Sequence, residues 1–94
     1  MTPEAKVKLS VKKILDGLGI YHFSPFMAGM GRAGVPDIIA CHKGRFIAIE
    51  CKAGKGKTTA LQDRELQAIT DAGGFTFVAR ETNIKELRDA LECL

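Results

Sequence analysis

Apolar residues recur along the chain with two periods, one typical of helices and one typical of strands. Near the start, aliphatic residues return at helical spacing, and lysines occupy most of the opposite side. Thr2 is a suitable N-cap, Pro3 suits the first helical position, and Gly17 and Gly19 mark the end. This pattern predicts a first helix whose inward stripe is Val7, Val11, Ile14, Leu15 and Leu18.

Short apolar runs predict the strands. They are Ile20–Phe23, Asp37–Cys41, Phe46–Lys52 and Phe75–Ala79. The glycine-containing segment His42–Arg45 separates the second run from the third, which predicts a hairpin. Apolar residues occupy both faces of the third run, so we expect a central strand that is covered on both sides.

Two further helices complete the predicted order of elements. One runs from about Thr59 to Ala72 and is ended by Gly73-Gly74. Thr82 or Asn83 can cap the last one, whose apolar stripe is Ile84, Leu87, Leu91 and Leu94. The order helix, three strands, helix, strand, helix predicts a mixed α/β fold with one sheet between helices. Because no repeat, low-complexity tract or linker composition is present, we expect one domain over residues 1–94.

Composition narrows the class of protein. The 94 residues are 46% hydrophobic and 27% charged, which is typical of a globular domain. No apolar run approaches the ~20 residues of a membrane span, and Met1–Glu4 lacks a signal-peptide pattern, so we expect no membrane partner. Three cysteines without a CxxC pair favour reduced thiols in the cytoplasm over disulfides or structural zinc. A net charge of +3 permits a polyanionic partner without requiring one.

Three charged residues interrupt the predicted hairpin. Asp37 begins one strand, and Glu50 and Lys52 end its neighbour on one shared face. An antiparallel hairpin brings Asp37 beside Glu50, where two ionised carboxylates ~4 Å apart would repel by about 4 kcal/mol at an effective dielectric of ~20. A divalent cation removes that repulsion, and hard oxygen ligands suit Mg²⁺ or Mn²⁺. The cation would activate water against a phosphodiester, and Lys52 would orient the water or stabilise the transition state.

A simpler interpretation exists for each half of this pattern. Asp37 can be a turn residue after Pro36, and Glu50 with Lys52 can be an ordinary ion pair on one face of a strand. The combination of a Pro-Asp start on one strand with a Glu-x-Lys end on its neighbour is more specific than either half. We therefore favour the catalytic interpretation.

The motif Pro36-Asp37, followed after twelve residues by Glu50-Cys51-Lys52, resembles the PD-(D/E)xK nuclease signature. The string Gly34–Ile39, with Gln62 and Gly73-Gly74 downstream, is similar to the VRR-NUC branch. The resemblance implies a restriction-endonuclease-like fold: an αβββαβ core with a mixed sheet flanked by helices, and a C-terminal helix. It also implies phage or prophage origin, and homodimeric endonucleases that cut branched DNA such as Holliday junctions.

The resemblance assigns roles residue by residue. It places metal ligation on Asp37, Glu50 and the Cys51 carbonyl, with Lys52 as the catalytic lysine. Glu4 matches an acidic residue of the first helix that completes the metal site. The alternative is an acid in the first helical turn that is stabilised only by the helix macrodipole.

Gln62 falls where the family has a glutamine, and it lies on a stripe with Leu66 and Ile69 that we expect to face the sheet. We assign it to positioning Lys52 or a water. The alternative is a side chain at the solvent edge.

Three basic residues are candidate phosphate contacts. Arg32 lies in the glycine-rich loop, and Lys55 and Lys57 follow the catalytic strand. Plain solvent exposure is the alternative for each of them. The segment Gly29–Gly34 also matches GxGxxG, but Pro36 and a β-branched strand follow where a dinucleotide site needs a helix, so we expect no nucleotide cofactor.

Several functions remain compatible with the sequence. The leading one is metal-dependent hydrolysis of branched DNA by a homodimeric junction resolvase. The alternatives are a flap- or end-directed nuclease, a restriction-type nuclease, a non-catalytic DNA-binding module with the same fold, and a small regulatory or anti-host protein. The sequence shows no target-recognition domain, which weighs against the restriction type.

Overall fold

The computed structural model describes residues 1–26 and 31–94, and within these ranges it contains three helices and four strands. In chain order they are α1 (Pro3–Gly17), β1 (Tyr21–Phe23), β2 (Ile38–His42), β3 (Arg45–Cys51), α2 (Ala60–Asp71), β4 (Phe75–Ala79) and α3 (Ile84–Glu92). The predicted α/β fold with a mixed sheet and a C-terminal helix is confirmed. Part of the predicted glycine-rich loop, including Gly29 and Met30, lies outside the described residues.

The sheet has the strand order β1-β2-β3-β4. The first two pairs of neighbours are antiparallel, and β3 pairs with β4 in parallel. Lys43 and Gly44 form the turn of the β2–β3 hairpin with φ values of 53° and 79°, the left-handed conformation that two-residue hairpin turns favour. Residues 47–51 of β3 are buried, so the predicted central strand is confirmed.

One face of the sheet carries the hydrophobic core. The inward residues of α1 and α3 pack there against alternate residues of β2, β3 and β4. Helix α1 is capped by the Thr2 side chain, which accepts a hydrogen bond from the Ala5 N–H at 3.1 Å. The core consists of Val7, Val11, Leu15, Ile20, Ile38, Ala40, Ile47, Ile49, Cys51, Ala79, Leu87 and Leu91.

The opposite face of the sheet is covered unevenly. Helix α2 packs on β4, where the Thr70 and Thr76 hydroxyls form a 2.9 Å hydrogen bond. Leu66 and Ile69 are only half-buried, and the one buried residue of α2 is Glu65. Helix α2 contacts the edge strand β4, so the Leu66–Ile69 stripe that we expect to face the sheet is only partly covered.

Two other expectations concern membranes and thiols. None of the described helices has the length and apolar character needed to cross a bilayer. Cys41, Cys51 and Cys93 are all free cysteines, and Cys51 is the buried one.

At Gly34 the backbone of the loop before β2 lies close against the backbone of helix α2. Its φ is +79°, and a Cβ atom there would lie 2.5 Å from the Leu61 carbonyl oxygen and 2.9 Å from the Gln62 nitrogen. Glycine is needed at this position both for the left-handed conformation and for lack of space. The contact fixes the chain three residues before Asp37 against the first turn of α2.

We predict that Gly34→Ala lowers the free energy of unfolding more than Gly44→Ala does. Gly44 has the same φ of +79°, but a Cβ there meets nothing within 4 Å, so its substitution measures the conformational cost alone. Gly44→Ala should cost about 1–2 kcal/mol, and Gly34→Ala a further 1–3 kcal/mol or so, because the α2 backbone must move. Urea unfolding of both variants tests this; equal losses would contradict the close approach.

Candidate active site

The carboxylates of Asp37 and Glu50 are each held by a hydrogen bond from a backbone N–H. The Asp37 N–H donates to Glu50 Oε1 at 3.1 Å, and the Cys51 N–H donates to Asp37 Oδ2 at 2.8 Å. Each carboxylate thus has one oxygen held by a backbone N–H of the other half of the hairpin, while its second oxygen has no backbone N–H donor among residues 1–26 and 31–94. The hairpin therefore brings together the two acids that its geometry led us to expect side by side.

Cys51 contributes its backbone to this site and its side chain to the core. The thiol is buried on the sheet face opposite Glu50, and burial, followed by the charge of Asp37, raises its pKa to about 12. Extending the β2–β3 register by two residues places Pro36 opposite Cys51. Because proline has no N–H, it leaves the Cys51 carbonyl without the usual cross-strand donor. The Cys51 carbonyl therefore accepts no hydrogen bond from residue 36.

Lys52 lies one residue beyond β3. Its N–H donates to the Ala79 carbonyl at 3.0 Å and continues the parallel pairing with β4. Its Nζ is 3.9 Å from Glu50 Oε2, and its side chain is 15% exposed. Burial and the neighbouring Asp37 charge raise the pKa of Glu50 to about 7, while the Lys52 ammonium partly opposes that rise.

Lys8 is a second ammonium at the site that the sequence did not single out. It projects from α1, and its Nζ is 3.6 Å from Asp37 Oδ1, the oxygen that the Cys51 N–H does not hold. The sequence offered one weak signal, because Lys8 follows the inward-facing Val7 and lies one helical turn after Glu4. The site therefore combines two carboxylates with two lysines.

The arrangement of oxygens fits a hard divalent cation. Asp37 Oδ1, Glu50 Oε2 and the Cys51 carbonyl are oxygen donors of the kind that Mg²⁺ and Mn²⁺ prefer, with water completing the shell. Among residues 1–26 and 31–94, no group of three or more Asp, Glu, His and Cys side chains is arranged to hold a metal. Glu4 is exposed in the first turn of α1 and does not add a third carboxylate to the pair.

Gln62 forms a capping box at the start of α2. Its Oε1 accepts the Thr59 N–H at 2.9 Å, and its own N–H donates to Thr59 Oγ1 at 3.2 Å. The side chain is half-buried. The structure thus gives Gln62 a helix-capping role next to Gly34 and no hydrogen bond to Lys52 among the described residues.

Arg32 is held by helix α2. Its Nε and Nη2 donate to the two carboxylate oxygens of Glu65 at 3.1 and 2.9 Å. The Glu65 side chain is 9% exposed and that of Arg32 is 75% exposed, so the guanidinium covers a buried acid while its outer edge faces solvent. The hydrogen bond from Arg32 also lowers the pKa of Glu65. The sequence did not predict this pair, because it joins a loop to a helix 33 residues away.

The segment after β3 is fixed by the turn between β4 and α3. Arg80 Nη1 donates to the carbonyls of Gly54 and Gly56 at 3.2 and 2.6 Å, and Glu81 Oε1 accepts the Gly54 N–H at 2.8 Å. Lys55 and Lys57 are exposed on this segment. No motif or spacing in the sequence indicated Arg80 and Glu81, although the parallel pairing of β3 with β4 places the ends of both strands at one edge of the sheet.

Comparison with known proteins bears on most of the chain. Residues 10–88 match the family model described as archaeal Holliday junction resolvase (Hjc). The matched range contains Asp37, Glu50, Cys51 and Lys52 and begins after Glu4. A comparison with curated proteins found no match.

We predict that the metal-free protein loses stability as the pH rises from about 4.5 to 7, and that Glu50→Gln removes this loss. The pKa of Glu50 is raised from 4.5 to about 7, so the folded state binds its proton more tightly than the unfolded state does. Stability is then highest on the acid side of this window and falls by about 3 kcal/mol across it. Urea unfolding in EDTA at several pH values measures the slope; identical slopes for both proteins would contradict the shift.

Proposed function

The chain belongs to the archaeal Holliday junction resolvase (Hjc) family, and we propose that it hydrolyses phosphodiester bonds of branched DNA as a metal-dependent endonuclease. Family membership implies a nuclease of the PD-(D/E)xK-like superfamily with DNA as its partner. The observation that supports catalysis is the Asp37–Glu50 pair, in which each carboxylate keeps one oxygen free of backbone donors from the described part of the chain. A module that had kept only the fold would have no need to bury this acidic pair.

We propose Asp37, Glu50 and the Cys51 carbonyl as the ligands of Mg²⁺ or Mn²⁺. Such an ion would polarise the phosphodiester and lower the pKa of a water bound to it. The protein's own part is to hold these oxygens in place through the paired backbone hydrogen bonds. Glu4 is proposed to complete the metal site through a bridging water. Gln62 is proposed to position Lys52 through a water.

Lys52 is proposed to act on the phosphate group undergoing hydrolysis. Its side chain is 15% exposed and lies on the same face as Glu50, and its ammonium would stabilise the negative charge that develops on the phosphate in the transition state. The exposed Lys55, Lys57 and outer edge of Arg32 are proposed to contact the DNA backbone, which carries no sequence information.

The proposed homodimer uses the uncovered part of the sheet face that carries the site. Tyr21, Cys41 and Phe46 lie in one row across β1, β2 and β3, and Phe23 and Ile39 lie in the next row. Tyr21 is 70% exposed, and Phe23 and Phe46 are each 47% exposed. A contiguous aromatic surface of this kind favours a protein partner, and a second copy would bring two sites to the two strands of a junction.

Two finer assignments rest on the motif string alone. The segment Gly34–Ile39 with Gln62 is the basis for proposing a VRR-NUC-like branch. Phage or prophage origin is proposed from the same resemblance. Action in the cytoplasm of a bacterial host is proposed from the three cysteines without a CxxC pair. A flap-directed or restriction-type nuclease is the alternative within enzymes.

We predict that the purified protein cuts a four-way junction with Mg²⁺ or Mn²⁺, and that Asp37→Asn and Lys52→Ala each lower the rate about 100-fold or more. Lys13→Met is the matched control, because Lys13 is exposed on α1 and has no ion-pair partner in the described ranges. Four-way, flap, linear and single-stranded substrates are compared under one set of conditions. Full cleavage by Lys52→Ala would remove the proposed mechanism, and preference for a flap would replace the junction assignment.

We also predict that the double variant Tyr21→Glu/Phe46→Glu weakens dimerisation by about tenfold or more, because charges replace exposed aromatic contacts. Leu9→Glu is the control, since Leu9 is 41% exposed on α1, away from this face. Light scattering over a concentration series gives the dissociation constant. A monomeric wild-type protein at micromolar concentration would contradict the dimer, as would an unaffected double variant.

A further inference from the structure

Lys8 occupies a position on α1 that makes it part of the acidic pair's surroundings. Its Nζ is 3.6 Å from Asp37 Oδ1, and its side chain is 36% exposed against 22% for Asp37. The distance is longer than a hydrogen bond, so the pair is held by charge attraction and the ammonium keeps some freedom. Lysine has a flexible four-carbon stem, which allows the ammonium to move without a change in the helix.

Each of the two lysines lies next to one of the two carboxylates. Lys52 Nζ faces Glu50 Oε2 at 3.9 Å, and Lys8 Nζ faces Asp37 Oδ1 at 3.6 Å. In each case the ammonium faces the carboxylate oxygen that accepts no hydrogen bond from a described backbone N–H. These are also the two oxygens that the proposed metal would take. The lysines differ in exposure, since the Lys52 side chain is 15% exposed and that of Lys8 is more than twice as accessible.

We propose that Lys8 is a built-in counter-ion of Asp37 that a divalent cation displaces, after which its ammonium is free to contact a DNA phosphate. This inference rests on the proposed metal-dependent function. A divalent cation bound to Asp37 Oδ1 would stand within a few ångströms of the ammonium, and two like charges at that separation repel. The Lys8 side chain is the group that moves away, because it is half-exposed and can turn toward solvent. In the absence of metal it limits the repulsion between Asp37 and Glu50.

The competing interpretation is a surface ion pair without a role in metal binding, since exposed pairs of this kind are common and weak. The two interpretations differ in the metal affinity of a protein without DNA. Displacement predicts that removing the Lys8 charge strengthens metal binding. An incidental ion pair predicts no change.

The experiment compares wild type, Lys8→Met, Lys8→Arg and Lys13→Met by calorimetric titration with Mn²⁺ in the absence of DNA. Lys8→Met should bind Mn²⁺ about two- to fivefold more tightly than wild type, because no ammonium has to be displaced. Lys8→Arg keeps the charge and should bind as wild type does, as should Lys13→Met. Thermal unfolding should show a larger stabilisation by Mn²⁺ for Lys8→Met than for the other three proteins.

The contact with phosphate is tested in a Lys52→Ala background, in which the proposed catalytic lysine is absent. Binding to a four-way junction is measured with Mn²⁺ and with EDTA. Adding Lys8→Met should weaken binding about threefold with Mn²⁺ and leave it nearly unchanged with EDTA, since only the displaced ammonium reaches the DNA. Adding Lys13→Met should weaken binding equally in both conditions or not at all.

The outcomes separate this inference from the proposed function. Equal or weaker Mn²⁺ binding by a folded Lys8→Met protein overturns the displacement of Lys8 while leaving the nuclease intact. If Lys8→Met does not fold, a Lys8→Arg protein that departs from wild-type Mn²⁺ affinity overturns it instead. A wild-type protein that neither binds Mn²⁺ nor cuts DNA overturns the proposed function itself.

Discussion

The site depends on one constraint: Glu50 is buried at the end of the central strand beside a second carboxylate. A buried charge next to another of the same sign is unfavourable unless hydrogen bonds and counter-charges surround it. The structure supplies these from three directions, namely the backbone of the hairpin, Lys52 just after β3 and Lys8 from α1. The raised pKa of Glu50 shows that this compensation is incomplete. The proposed cation would complete it. The burial of two neighbouring carboxylates, which destabilises the fold, would therefore favour cation binding at the site.

Much of the fold could be predicted from local patterns. The helices have inward stripes and clear ends, and the turn at Lys43-Gly44 fixes which residues of the hairpin face each other. Since strand alternation is strict, placing the turn also placed Asp37 next to Glu50 and separated the Cys51 thiol from both. These predictions succeeded because each depends on residues close together in the sequence. The roles of the site residues remain proposals.

The contacts that the sequence could not indicate join distant segments. Arg32 pairs with Glu65, so a residue predicted to contact DNA also covers a buried acid of α2. Glu65 is the buried residue of α2, whereas the apolar pattern predicted that Leu66 and Ile69 face the sheet. Lys8 belonged to a polar helix face and gave little sign that α1 would direct it at Asp37. Such pairings follow from how elements dock, which neither periodicity nor motif spacing encodes.

The turn between β4 and α3 has a consequence for protein design. Asn83 donates to the Val78 carbonyl and accepts the Arg80 N–H, and Arg80 in turn holds the backbone that follows Lys52. The shape of the segment that follows β3 is therefore set by residues some thirty positions later in the chain. A hairpin carrying Asp37, Glu50 and Lys52 would therefore not keep this geometry if it were moved alone into another protein. Grafting it onto another scaffold would require transplanting this turn as well, or building an equivalent clamp.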